Sequence, residues 1–163
     1  MNLRALTDAI ESAVADPRAG LPPELFRFIS RMTPLINVDL LIQDDRARTL
    51  LTWRDDEFYG PGWHVPGGII RYKEPVADRI RACAREELGA DVSSESAPLF
   101  VLEGITEERT RAHHISLLFR CRLLGPPDER RRSGGPPNPG QWRWHSRCPP
   151  NLLEAQREYA RFF

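Results

Sequence analysis

The sequence contains no apolar run near the roughly eighteen residues that a membrane-spanning helix needs, and no charged-then-apolar signal layout at its start. Those absences point to a soluble, cytoplasmic protein. Lysine is almost missing, Lys73 being the only one. Arginine replaces it throughout, which reflects codon usage before any function. Cysteine is scarce as well. Cys83, Cys121 and Cys148 lie far apart with no CxxC pair, so neither a disulfide framework nor a zinc site is indicated. Charge asymmetry is also lacking: 23 basic and 23 acidic side chains cancel. Nothing global therefore attracts nucleic acid or an anionic membrane. There is no internal repeat.

What is present suits one domain, since 163 residues can enclose a single good core. Leu3, Leu6, Ile10 and Val14 recur at helical spacing and predict a helix over 3–15, ended by 16–20. A second helix is predicted from Leu21 to Met32. Residues 34–43 and 48–53 read as strands of a hairpin around the polar turn 44–47. Farther on, 92–98 reads as a loop, 99–107 and 113–123 as strands, 141–145 as a short strand and 151–163 as a closing helix. Between them, 125–140 is dense in Pro, Gly and charge and reads as a mobile loop. Strands and helices in this order predict an α/β sandwich with a mixed sheet over 34–163, preceded by an N-terminal helical extension over 1–33.

The most informative stretch is GWHVPGGIIRYKEPVADRIRACAREELGAD, residues 62–91. Gly67-Gly68 allows a sharp turn. Pro75 suits a helix start, and Gly89 a helix stop. Val76, Ile80, Ala84 and Leu88 form one apolar stripe. Glu86 and Glu87 stand at the helix end, where carboxylates are disfavoured by the macrodipole unless a cation offsets the penalty. With free carbonyls at the glycine turn, this describes a site for a hard cation.

Gly68, Glu74 and Arg85-Glu86-Glu87-Leu88-Gly89 together resemble the Nudix box, the loop-helix motif of Mg-dependent hydrolases of nucleoside diphosphate derivatives. The usual box has Arg-Glu where this chain has Ala82-Cys83. The similarity is greatest to the GDP-mannose mannosyl hydrolase branch, which also lacks that glutamate. Matching residues extend beyond the box: Thr33-Pro34-Leu35, Asp39, Leu50-Leu51 with Arg54, Trp63 with Val65-Pro66-Gly67-Gly68, His113, Phe119-Arg120 and Arg143-Trp144. The resemblance implies a Nudix-type α/β/α sandwich and Mg²⁺, or Mn²⁺, held by Gly68, Glu87 and Asn138. Catalytic roles fall to Glu87, Glu86 and His113. Asp39, Arg54 and His113 are expected to bind a nucleoside diphosphate sugar, and a homodimer is expected by the same analogy. Glu74 is expected to tie down the helix start.

Three departures bear on mechanism. The branch has arginines where this chain has Ile69 and Ala82. It also has a histidine base where this chain has Pro139, which cannot accept a proton; His145, His114 and Glu86 are the replacements to consider. Loss of a carboxylate at Cys83 favours a single metal ion and attack at the sugar carbon, whereas the missing arginines weaken the leaving group's support. A pyrophosphatase of another nucleotide, or a catalytically weak nucleotide-binding module, is the alternative.

Overall fold

The computed structural model describes residues 2–163. In chain order it contains α1 (Leu3–Ser12), α2 (Pro23–Ile29), β1 (Leu35–Ile42), β2 (Thr49–Asp56), β3 (Gly60–His64), β4 (Gly67–Ile69), α3 (Val76–Leu88), β5 (Val92–Ser94), β6 (Phe100–Ile105), β7 (His113–Leu123) and β8 (Trp142–His145). A 3-10 helix over Glu154–Phe162 closes the chain. No helix among the described residues is long and apolar enough to cross a membrane.

The strands form two sheets. The larger has the order β4-β1-β7-β5, with β6 also on β7; the smaller has the order β3-β2-β8. β1 and β7 run parallel and the other pairs antiparallel, so the larger sheet is mixed, as the element order predicts.

Strand alternation divides the larger sheet's side chains between two cores. Val38, Leu40, Ile42, Phe119 and Cys121 point to one face, where Ile80, Cys83, Ala84 and Leu88 of α3 cover them. Leu41 and Leu118 point to the other, against Trp63, Leu152 and Tyr159. Leu50 and Trp142 of the smaller sheet join the first core; Leu51 and Trp63 join the second. α3 ends at Gly89, whose φ of 63° is a left-handed cap that a side chain would strain.

Four local expectations need correction. The strands over 34–43 and 48–53 do not pair as a hairpin: β1 lies in the larger sheet and β2 in the smaller, and they meet at an isolated Gln43–Thr49 bridge beside the turn. Residues 92–98 are not all loop, because Val92–Ser94 pairs with β7. The closing segment is helical from Glu154 but is 3-10 and not α. The stretch 125–140 is tied to the body rather than loose. Asp128 N–H donates to Leu88 O at 2.8 Å, Trp142 Nε1–H donates to Asp128 O at 2.9 Å, and Arg131 donates to Glu86 O at 2.7 Å. These bonds go to distant parts of the chain, so local composition gives no sign of them.

Candidate active site

A cleft of about 560 Å³ opens between the two sheets, a size that suits a small-molecule ligand. Asn37, Asp39, Thr52, Arg54, His64, Gly67, Gly68, Glu87, Arg111, His114, Ser116 and Pro139 are among its lining residues. The expected residues Asp39, Arg54, Gly68 and Glu87 therefore meet in one place. Glu86, His113 and Asn138 are not among the lining residues.

Glu87 is held from two sides. Thr52 Oγ1–H donates to its Oε2 at 2.6 Å, and Gly67 N–H donates to its Oε1 at 2.8 Å. Each carboxylate oxygen keeps a lone pair in hand. His64 Nε2 lies 3.0 Å from Thr52 Oγ1, and its Nδ1 lies 3.0 Å from Val65 O. Thr52 has one proton and Glu87 takes it. With that proton given to Glu87, both ring contacts of His64 are satisfied together only when both of its nitrogens carry a proton. Burial lowers the His64 pKa, opposed by the Glu87 carboxylate. Strand geometry had no counterpart in the sequence reading here: His64 and Thr52 are opposed in the β2/β3 ladder. Their polarity within apolar strands was the available signal.

The Gly67-Gly68 pair is not the expected sharp turn: both residues are extended in β4 and paired with β1, and neither has a positive φ. Leu40 N–H donates to Pro66 O at 2.8 Å and Ile70 N–H to Ile36 O at 2.9 Å. With Val38 opposite Gly68, this phase turns the Gly68 amide and carbonyl toward Val38 and those of Gly67 outward at the sheet edge. Gly67, not Gly68, thus offers the free carbonyl beside Glu87. An oxygen-only set of Glu87 and the Gly67 carbonyl fits one hard cation that keeps water for its remaining positions. Among the described residues no three His, Cys, Asp or Glu side chains converge as a metal cluster.

Asp39 is 4% exposed and accepts the Tyr159 hydroxyl proton at 2.6 Å. Burial pushes its carboxyl up to about 7, and Glu87 adds to the rise; Tyr159, Ser116 and Arg54 oppose it. Tyr159 comes from the closing 3-10 helix, whose sequence carries no motif that signals a role in the cleft. Gly67 must be glycine because a Cβ there would lie 2.3 Å from Asp39 Oδ1. Arg54 pairs with Asp56 and stacks on Tyr59, with 4.9 Å from guanidinium to ring. Arg111, absent from the sequence reading, stacks on the same ring at 5.2 Å. Two guanidinium groups therefore flank one wall.

His113 and His114 point to opposite sides of β7. His113 pairs with Glu103 at 3.2 Å on the outside, while His114 lines the cleft, contrary to the preference for His113. Burial lowers the His114 pKa, and the Arg111 and His113 charges lower it further. Its Nδ1 has no hydrogen-bond partner among the described residues, and the same holds for Asn37 Oδ1 and Arg111 Nε. His145 stacks edge-on against Trp63 with centroids 4.6 Å apart, outside the cleft lining. Burial and Arg143 push its pKa down to about 4. Glu86 is engaged by Arg79. Asn138 is exposed, its amide bound to Gln141 Oε1 at 2.9 Å, whereas Pro139 stands in the cleft wall.

The NUDIX domain model matches residues 33–161. Among curated proteins, the low-salt glycan biosynthesis protein Agl8 of Haloferax volcanii is 36% identical over 80 residues, 49% of this chain and 51% of that protein. The aligned part thus spans about half of that relative. A MutT NUDIX hydrolase from Burkholderia pseudomallei is 25% identical with a TM-score of 0.63, over 79% of this chain and 97% of its own. A UDP-X diphosphatase is 19% identical with a TM-score of 0.58, over 98% of this chain and 74% of its own, a likeness of fold alone.

Proposed function

The chain belongs to the NUDIX domain family, and on that premise we propose that it is a divalent-metal-dependent hydrolase of a nucleotide sugar, GDP-mannose being the substrate to try first. The observation that carries this is Glu87, fixed by Thr52 and Gly67 in the same cleft as Arg54 and Arg111. A carboxylate that can take a cation, beside planar guanidinium donors, is matched to a metal–diphosphate group. Agl8 is named for glycan biosynthesis, which agrees with a sugar-linked substrate.

When bound, Mg²⁺ would neutralise charge on the departing diphosphate. The chain's own residues do the rest. Arg54 and Arg111 hold the phosphates, and Asp39 accepts from a sugar hydroxyl. His114 replaces the base lost at Pro139: it lines the cleft, unlike His145, its lowered pKa favours the uncharged ring that can accept a proton, and unlike Glu86 it is not held by an arginine. Water attacks the anomeric carbon, its proton passes to His114, and the carbon–oxygen bond breaks to release sugar and nucleoside diphosphate.

Pro139 in the cleft wall also favours a second reading, a nucleotide-binding module that turns over poorly. Product analysis with Mg²⁺ and a panel of nucleoside diphosphate sugars decides between them. Free sugar plus nucleoside diphosphate is the expected result. Sugar phosphate plus nucleoside monophosphate would mean attack at phosphorus, and binding without product would mean a sensor.

A further inference from the structure

We infer that the guanidinium of Arg79 occupies the place of a second divalent cation behind the Gly67-Gly68 segment of β4, so that the site takes one metal ion and Glu86 is not among its ligands. The inference rests on the reading of Glu87 as a cation ligand.

Arg79, Cys83 and Glu86 fall at i, i+4 and i+7 of α3 and share a face. Arg79 is 3% exposed. Its Nε–H donates to Cys83 Sγ at 3.1 Å, its Nη2 donates to Glu86 Oε2 at 2.5 Å, and its Nη1 lies 3.9 Å from Glu74 Oε1. A buried guanidinium is tolerable only when its charge is met, and here two carboxylates meet it. Glu86 is one of the two helix-end acids expected at the cation site, and Glu74 the acid expected to tie down the helix start. Glu87, the other helix-end acid, has no part in this cluster and is turned to Thr52 and Gly67.

Position makes the substitution specific. A Cβ on Gly68 would stand 2.9 Å from Cys83 Sγ and 3.6 Å from Arg79 Nε. The guanidinium thus lies against β4, whose edge amide at Gly67 holds Glu87. A permanently charged, planar donor neutralises Glu74 and Glu86 there and repels a divalent ion from the same acids. Cys83 leaves room for it and adds no charge, since burial pushes the thiol up to about 11. The missing box glutamate and the buried arginine are then one adaptation: the carboxylate that would help bind a second ion is absent, and an arginine fills the space.

Titration with Mn²⁺, followed by the loss of the free-ion electron paramagnetic resonance signal, counts the sites. Wild type is expected to bind one ion, and Arg79→Lys one. Arg79→Met, with Glu74 and Glu86 released, is expected to bind two. Two ions on wild type, or one on folded Arg79→Met, would overturn the inference. Glu86→Gln and Cys83→Glu keep the test open if Arg79→Met does not fold. Glu86→Gln should leave the Mn²⁺ Kd within about threefold of wild type, whereas loss of a true ligand's support is worth roughly 10-fold or more. Cys83→Glu should still bind one ion, its new carboxylate neutralised by Arg79; a second ion there counts against the inference, as does a tenfold loss in Glu86→Gln. If wild type binds no Mn²⁺, the hydrolase reading loses its metal. Arg79→Met then decides the Arg79 inference alone, by gaining a site or not.

Discussion

Asp39→Asn is the perturbation that most cleanly exposes the electrostatics of the cleft. Asp39 is buried, and its carboxyl is raised from 3.8 to about 7, chiefly by desolvation. The folded state therefore holds its proton between about pH 4 and pH 7 while the unfolded chain has released it. Stability from this group is fully present below the unfolded pKa and is lost as pH rises through the folded one. A shift of that size corresponds to about 4 kcal/mol at its upper limit. Asparagine keeps the shape and still accepts the Tyr159 hydroxyl, but it has no charge to bury. Urea unfolding of both proteins from pH 4.5 to pH 8 measures the difference. His145 contributes with the opposite sign, because its pKa is lowered and its stabilisation is lost as pH falls from 6.5 toward about 4. That effect is common to both proteins and cancels in the comparison. The variant should gain on wild type steadily up to about pH 7, by several kcal/mol, and stay level above it. A difference that is flat within about 1 kcal/mol, or that runs the other way, would refute the reasoning.

Two further substitutions test other parts of the account. Thr52→Val keeps the shape of a residue that is 1% exposed but removes the hydroxyl held by Glu87; calorimetric titration should show Mg²⁺ affinity falling by roughly 10-fold or more. Gly104→Ala puts a Cβ 2.1 Å from His114 Cε1; overpacking of this kind should cost about 1–3 kcal/mol in thermal unfolding and disturb the cleft through the displaced imidazole.

Much of the fold was legible because periodicity reports burial. β1, β2, α3 and β7 stand close to their predicted bounds, although β1 and β2 part into separate sheets, and the alternation in β1 that sends Val38 and Leu40 to one core also sends Asp39 to the cleft. β5 was not legible because three residues with one buried side chain carry no period. The anchoring of 125–140 depends on Trp142 and Leu88 as distant partners. His113 against His114 shows the limit most sharply. Alternation says that one faces inward, but only the register against β1 and β6 says which face is inside. Arg79 is the same case: an arginine on an amphipathic helix reads as solvated until Glu74 and Cys83 are seen beside it.

Turnover of a nucleotide sugar by wild type and Glu87→Gln, with and without Mg²⁺, reads the role of a cation at Glu87. Hydrolysis is expected to depend on Mg²⁺ and to fall roughly hundredfold or more in the variant, the rate equivalent of losing a few kcal/mol of charge stabilisation. Hydrolysis that is indifferent to Mg²⁺, or equal in the two proteins, would contradict that role.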